Sequence, residues 1–547
     1  MNTSLGEKKT AWRIELAALA LTLAGLAVSL VMGYLSDGVF HGDDISHYGL
    51  AYYSWGDPHK MLHFWARPGY NIPAMFAARL GGMAACRAFS ALQTALVAWM
   101  AFRIARLVWP ARWPIALAPL LVWMQPETMT LSITTLTETT AAVYMAMAVW
   151  FWLRRRRVVA CLFFSPMFLT RVETMGLVPI IAGGVIGAAW LEAGRSVRKM
   201  FARPWAWGCV AALLWAPVAY CAAAWIVDLP ADLHLFNIAG REYDDIYGSG
   251  TWGHYVVMWS LSIGGGLFAL LIPGTMRLNR RYWMLAGMAW GLFALQTIIY
   301  RYGLFASGGY GRFMVTVAAP AGALAAGGVL RMLEIRRIWL AWWVWLFSCI
   351  LLLGLAVWQA VTVPTWLLTT GFCVVGFGVP LLAIALQAPM GRAAGLAAVG
   401  MAILANAVQL GATTGPLHGD EYHRATLQTY RKLEQKGLAD NKILTTYSIV
   451  ALWRMQHPEF YSSGYPDQFS RAAREWAQAR PGTIFLLENR LRHARQGKDW
   501  ALLRKSLKTH GRLVARSRQQ QAWAEAWIRT DQSAGESASA GDLDHGD

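Results

Sequence analysis

Charge is scarce in this 547-residue sequence: Asp, Glu, Lys and Arg make up 15% of it, where soluble domains carry about 25%. With 56% hydrophobic residues, that deficit excludes an ordinary soluble chain and gives a membrane composition. Cysteine is scarce as well. Cys86, Cys161, Cys209, Cys221, Cys349 and Cys373 all fall in apolar segments without ligand spacing, and the hydrophilic C-terminal region has none. A disulfide framework or a thiolate metal site is therefore disfavoured. No His-Glu-x-x-His run occurs. The Gly-rich stretch at 300–314 lacks a preceding strand and a Lys-Ser/Thr phosphate-loop pattern, so it is not a nucleotide loop. The absence of a convincing internal repeat counts against transporters built from symmetric halves.

What is present is long apolar runs and 29 tryptophans, whose amphipathic ring favours the membrane–water interface. Apolar windows of about 20 residues fall at 14–35, 82–105, 114–131, 133–153, 158–172, 174–191, 205–226, 254–275, 284–300, 313–333, 337–360, 366–388 and 392–413. They predict an α-helical polytopic membrane protein with about 13 transmembrane helices. The first window lacks a small-residue cleavage site and reads as a retained helix. The formal net charge of +18 sits mostly in short alternate loops, which is the positive-inside pattern rather than a nucleic-acid face. It places the N-terminus in the cytoplasm and residues 36–81 and 414–547 outside. The lack of a eukaryotic retention signal and the cysteine-free outer region lean towards a bacterial inner membrane.

Three regions follow. Residues 1–413 form the membrane domain, with a first outer loop at 36–81. Residues 414–530 read as a small α/β extracytoplasmic domain, with an amphipathic helix ending at Gly437 and short buried strands in KILTTYSI and GTIFLLE. Residues 531–547 are acidic, small and polar, the composition of a disordered tail.

Ionisable residues on the outer side gain nothing from the positive-inside rule, so each is a functional candidate. Asp43 and Asp44 are adjacent carboxylates in FHGDDISHYG; the bland account is a helix N-terminus or a solvated turn. HKMLHFWARPGYN carries Lys60, Arg67 and Tyr70 among aromatics, as an interfacial segment would, and Pro68 keeps Arg67 out of helix. Glu138 heads an apolar helix, Arg171 and Glu173 lie together where two spans meet, and Arg301 and Arg312 flank the Gly-rich turn. A first-turn acid and a structural ion pair are the bland accounts of Glu138 and of Arg171 with Glu173. His41, His47, His59 and His63 share one loop and are candidate ligands of a divalent cation, with interfacial histidine as the alternative.

In this order the clusters resemble the GT-C superfamily of integral-membrane glycosyltransferases, in layout the protein O-mannosyltransferase and aminoarabinose transferase type. GDDISHY stands where that family has its acidic pair, so Asp43 matches the catalytic Asp and Asp44 the usual Glu. FWARPGYN, RAFSAL, the TLTETTAAVYMAMAVWFWLRRRR helix, FLTRVETMGLVP and GRFMVTVAAPAGALAAGG resemble its later segments, with Val172 where Pro is frequent. The resemblance covers residues 14–333 and the outer domain in outline.

It implies transfer of a sugar from a polyprenyl-phosphate carrier to a glycan, lipid or protein acceptor, with inversion. Asp43 is then the general base, and Asp44 positions the acceptor, binds a metal or raises the pKa of Asp43. Lys60, Arg67, Arg171, Arg301 and Arg312 are candidates to stabilise the leaving phosphate. Glu138 and Glu173 orient those cations or contact sugar hydroxyls. Two other readings compete: a lipid or glycan transporter or flippase, and a non-catalytic scaffold for envelope assembly.

Overall fold

The computed structural model describes residues 5–40, 42–62, 66–227, 249–276, 278–304, 308–334, 343–344, 346, 390–445, 466–488 and 497–530. The chain divides into two compact units: Met1–Leu35 with Leu50–Pro416, and Ser36–Gly49 with Leu417–Asp547. The predicted window 366–388, the acidic tail and all of the window 337–360 except 343–344 and 346 lie outside the described residues.

The first unit is helical. Among the described residues seven helices are long and apolar enough to cross a membrane, or eight if a bent pair counts as one span. The Leu5–Leu35 helix shows why the surrounding solvent is lipid. Leu16, Leu23, Val28, Val31 and Leu35 are all exposed on it, and a helix apolar all round is stable only in a membrane or a core. The Pro68–Val108 helix opens with Pro68 in its first turn, where the missing N–H costs nothing. It packs against the Leu5–Leu35, Ala118–Trp123, Glu138–Leu153 and Ala318–Leu333 helices. It begins inside the predicted outer loop, and breaks locally at Gly81 and Gly82, the latter at φ 61°. The window at 114–131 becomes two short pieces, ending at Trp123 and running Pro126–Leu131.

The window at 254–275 is two helices, His254–Ile263 and Gly265–Thr275, bent by 103° at Gly264. Gly264 has φ 88°, a conformation side-chain-bearing residues rarely adopt. A break inside a membrane frees backbone groups that lipid cannot satisfy. Asn406 takes them: its Oδ1 accepts from Leu267 N–H at 3.0 Å, and its Nδ2 donates to Ile263 O at 2.9 Å and Met124 O at 3.0 Å. Gln409 donates to Leu261 O at 2.6 Å and accepts from Gly265 N–H at 3.3 Å.

The second unit is a four-stranded mixed sheet of order β1-β2-β4-β3, with β1 at Ile443–Thr445, β2 at Ile484–Glu488, β3 at Gly511–Gln519 and β4 at Ala522–Arg529. β2 is buried on both faces. Phe485 and Leu487 meet Trp476, Leu503 and Leu507, whose helices cover one side. Ile484 and Leu486 meet Tyr430 and Leu433 of the Glu421–Gln435 helix on the other. That helix is capped by Asp420, which accepts from His423 N–H at 2.7 Å, and is stopped near Gly437 at φ 66°, as the sequence predicts. Ile45 and Val39 join the same layer, so Ser36–Gly49 folds with the C-terminal region.

Candidate active site

Hydroxyl residues decide where the Glu138–Leu153 helix begins. Thr134 Oγ1 accepts from Leu136 N–H at 3.3 Å, a local bond that competes with helix. The first turn is then pinned to the Pro68–Val108 helix: Thr139 and Thr140 both donate to Gln93 Oε1, at 3.2 and 3.0 Å. Glu138 is thereby fixed with 1% of its surface exposed.

Arg171 ends the Arg157–Thr170 helix in extended conformation, φ −139° and ψ 98°, which turns its side chain off the helix axis. Its Nη1 donates to Glu138 Oε1 at 3.0 Å and its Nε to Glu173 Oε1 at 2.7 Å. Arg312, buried, brings its Nε to the same Glu138 oxygen at 3.3 Å. Phe313 lies under the Arg171 guanidinium at 4.1 Å and Tyr310 under that of Arg312 at 4.8 Å, adding cation–π attraction. Glu138 Oε1 is thus shared by two cations, while Glu138 Oε2 is buried and accepts no hydrogen bond among the described residues. A buried carboxylate oxygen without a donor is costly to the fold.

Glu127, half-buried in the Pro126–Leu131 helix, feels the charges of Arg312 and Glu138. Tyr255 feels those of Glu173 and Arg171 and donates to Tyr310 O at 3.2 Å. Sequence reasoning missed both. Glu127 follows Pro126 at the head of a helix, the same signal that marked Glu138; Tyr255 carried none.

The other candidates stand apart in what the structure gives them. Arg301 is exposed at the end of the Trp283–Arg301 helix, with Tyr302 at 6.0 Å. Lys60 pairs with Asp57 at 3.9 Å. Arg67 caps the Pro68–Val108 helix, its N–H donating to Asn71 Oδ1 at 2.6 Å, and Tyr70 is fully buried one turn on.

In the second unit Asp43 and Asp44 occupy the first turn of the Gly42–Ser54 helix, where the dipole favours negative charge. They differ in environment. Asp44 is fully buried and accepts from Phe40 N–H at 3.1 Å; Asp43 is only half-buried. Near them, burial works against the Asp37 carboxylate, but the Gly419 N–H and the His418 ring hold it below the usual range. Burial lowers His423, against the pull of Asp37 and Asp420. His47 is buried and His59 exposed, while His41 and His63 lie outside the described residues. Among the described residues no three His, Cys, Asp or Glu side chains converge on a metal position.

No protein-family model matches the sequence, and no curated protein does. Solved structures do. ArnT from Cupriavidus metallidurans bound to undecaprenyl phosphate superposes with a TM-score of 0.61 at 16% identity, covering 95% of this chain and 98% of that one. The same protein in the apo state gives 0.59 at 17% identity, over 93% and 98%. With nearly the whole of both chains superposed, this chain shares the fold of those ArnT structures.

Proposed function

We propose that the protein is a membrane glycosyltransferase that moves a sugar from a polyprenyl-phosphate carrier to an acceptor hydroxyl. The observation that carries this reading is the Glu138–Arg171–Arg312 cluster, in which two guanidiniums share one carboxylate oxygen and the second oxygen stays open. In the reaction the bond from the anomeric carbon to the phosphate oxygen breaks, and a bond to the acceptor oxygen forms from the opposite face, inverting the centre. The acceptor proton passes to Asp43. Negative charge grows on the departing phosphate, and cations fixed in a low-dielectric setting stabilise it without reorganising. Arg171 and Arg312 take that role, and Glu138 Oε2 accepts a hydrogen bond from a hydroxyl or amino group of the sugar. Asp43 is preferred to Asp44 as base because it is half-buried, whereas Asp44 is fully buried and so less able to meet an acceptor. The bound undecaprenyl phosphate of the ArnT structure supports a lipid-linked donor here. The loop-charge bias supports an inner-membrane protein with a cytoplasmic N-terminus and an outer catalytic side.

The broken helix at Gly264 is the feature closest to a transporter, since discontinuous helices line many transport sites. Its freed backbone groups, however, are occupied by Asn406 and Gln409 rather than left to bind cargo.

The test uses purified protein in liposomes, a panel of polyprenyl-phosphate sugars and a crude envelope acceptor fraction, with release of free polyprenyl phosphate as readout. We expect wild-type release, and a loss of about 100- to 10,000-fold in Asp43→Asn. Equal release by both proteins removes Asp43 from its role. No release from any donor, with an acceptor pool shown to be competent, refutes the enzyme class.

A further inference from the structure

The arginines at the other end of the same helices surround a cavity of about 770 Å³. The Glu138–Leu153 and Arg157–Thr170 helices carry Glu138 and Arg171 at one end and Arg154 to Arg157 at the other, so this cavity lies across the helices from the Glu138 cluster. Five arginines line it, Arg154, Arg155, Arg157, Arg280 and Arg281, against one carboxylate, Glu192. Arg157 is committed to Glu192 at 2.7 Å and rests on Trp205 at 4.3 Å. The other four have no carboxylate partner among the described residues.

Positive-inside topology accounts for arginines in these loops. It does not account for their convergence on an open cavity, nor for the conformation of Arg155. That residue sits at φ 62°, just past the helix end, where glycine is the relaxed choice.

The rest of the lining has the opposite character. Gly183 and Gly187, four apart and so on one helix face, line it, and a Cβ at either would meet nothing within 4 Å. Leu107, Leu153, Leu191 and Trp283 complete an apolar surface. A cavity lined by arginines and by an apolar, glycine-bearing helix face, at the end of membrane helices, matches an amphiphile with an anionic head. A free anion would use only the arginines.

We infer that this cavity binds one anionic glycerophospholipid of the cytoplasmic leaflet, with its phosphate among Arg154, Arg155, Arg280 and Arg281 and an acyl chain along Gly183 and Gly187. Basic pockets between membrane helices on the cytoplasmic side are suited to such headgroups. The site is separate from the donor site proposed above and stands whether or not that reading holds.

The experiment is native mass spectrometry of the full-length protein in mild detergent, titrated with phosphatidylglycerol, phosphatidylcholine or inorganic phosphate. One phosphatidylglycerol should bind at least tenfold more tightly than phosphatidylcholine, and millimolar phosphate should not displace it. The double variant Arg154→Gln/Arg280→Gln should weaken that binding at least tenfold. Gly187→Leu, which fills the groove without a clash, should weaken it similarly. Variants are compared at unchanged unfolding temperature, and the two act on different parts of the site. Equal binding of the two lipids, or wild-type binding by both variants, overturns the proposal. Displacement by phosphate assigns the arginines to a free anion and overturns it as well.

Discussion

Glu138 is the residue whose removal tests the buried cluster most directly. Its Oε1 holds Arg171 at 3.0 Å and Arg312 at 3.3 Å. At an effective dielectric near 20, each contact is a gross attraction of about 5 kcal/mol. Moving three charged groups out of water cancels much of that, so the net effect depends on what deletion leaves behind. Arg171 keeps Glu173, while Arg312 loses the carboxylate it shares and keeps only the weaker pull of Glu127. We therefore expect Glu138→Ala to destabilise the protein by about 2–4 kcal/mol, as removing one partner of a buried charged network does. Glu138→Gln, which keeps an acceptor, should cost about 1–3 kcal/mol. A double-mutant cycle separates this from general packing damage. Glu138→Gln and Arg312→Gln should cost less together than the sum of each alone, by about 1–3 kcal/mol. Glu138→Gln and Glu173→Gln should cost more than their sum, because together they strip Arg171 of both carboxylates. Unfolding in mixed micelles titrated with SDS, followed by tryptophan fluorescence, measures each term. Additivity within about 0.5 kcal/mol in both cycles would refute a shared charge network.

Asn406→Leu should destabilise the protein by about 3 kcal/mol or more, since it strands Leu267 N–H, Ile263 O and Met124 O in an apolar setting; an unchanged unfolding midpoint would contradict the capping role. Asp43→Asn should lower transfer by about 100-fold or more in the polyprenyl-phosphate release assay, whereas Asp44→Ala should lower the unfolding free energy by about 1–3 kcal/mol through the orphaned Phe40 amide. The second unit should lose stability on acidification. His423, with its pKa depressed by burial, contributes stability above its ordinary value of 6.5 that is lost as pH falls. Asp37, also depressed, contributes above its ordinary 3.8 and is lost at lower pH still. Protection factors in β2 and β4, that is exchange rates corrected for the intrinsic rate at each pH between about 7 and 3, read both steps, and protection that rises on acidification would reverse the argument.

The membrane class, most spans and the identity of the buried cluster were legible because they rest on local signals. Glu138 heads an apolar helix, and Arg171 and Glu173 sit two residues apart. What joins them was not legible: Arg312 reaches the same oxygen from a distant turn, and no periodicity reports that. The break at Gly264 was hidden for a similar reason. Its stretch is continuously apolar, and the side chains that make a break tolerable, Asn406 and Gln409, come from a helix far along the chain. The β3–β4 hairpin went unread because its turn is Gln520-Gln521, with Gln520 at φ 51°, in place of the Asn-Gly or Asp-Gly pair that marks such turns. Ser36–Gly49 looked like a loop of the membrane domain, yet Val39 and Ile45 bury their side chains with Leu433 and Leu486.

Helix length links the two charged ends of the first unit. The Glu138–Leu153 helix has 16 residues and the Arg157–Thr170 helix 14, about 24 and 21 Å at 1.5 Å per residue. A hydrocarbon core is about 30 Å thick. Neither helix is long enough to cross alone, and both are charged at each end, so if they do cross, at least one end lies below the interface or the bilayer thins around it. Arg154, Arg155 and Arg156 are exposed and can extend their heads to water over their apolar stems. Glu138 cannot, being enclosed by protein and dependent on Arg171 and Arg312 for its charge balance. On the membrane orientation proposed above, we therefore expect the Glu138 end to be the one that sinks. A cluster at that depth would meet ligands arriving from the bilayer more readily than solutes from bulk water, and an unpaired carboxylate oxygen there would be less screened than one in water. On the donor reading proposed above, that depth suits a phosphate carried on a membrane-embedded chain. It also explains why the cations of the cluster are already neutralised by carboxylates: without ligand, two buried guanidiniums at that level would have no other source of balance.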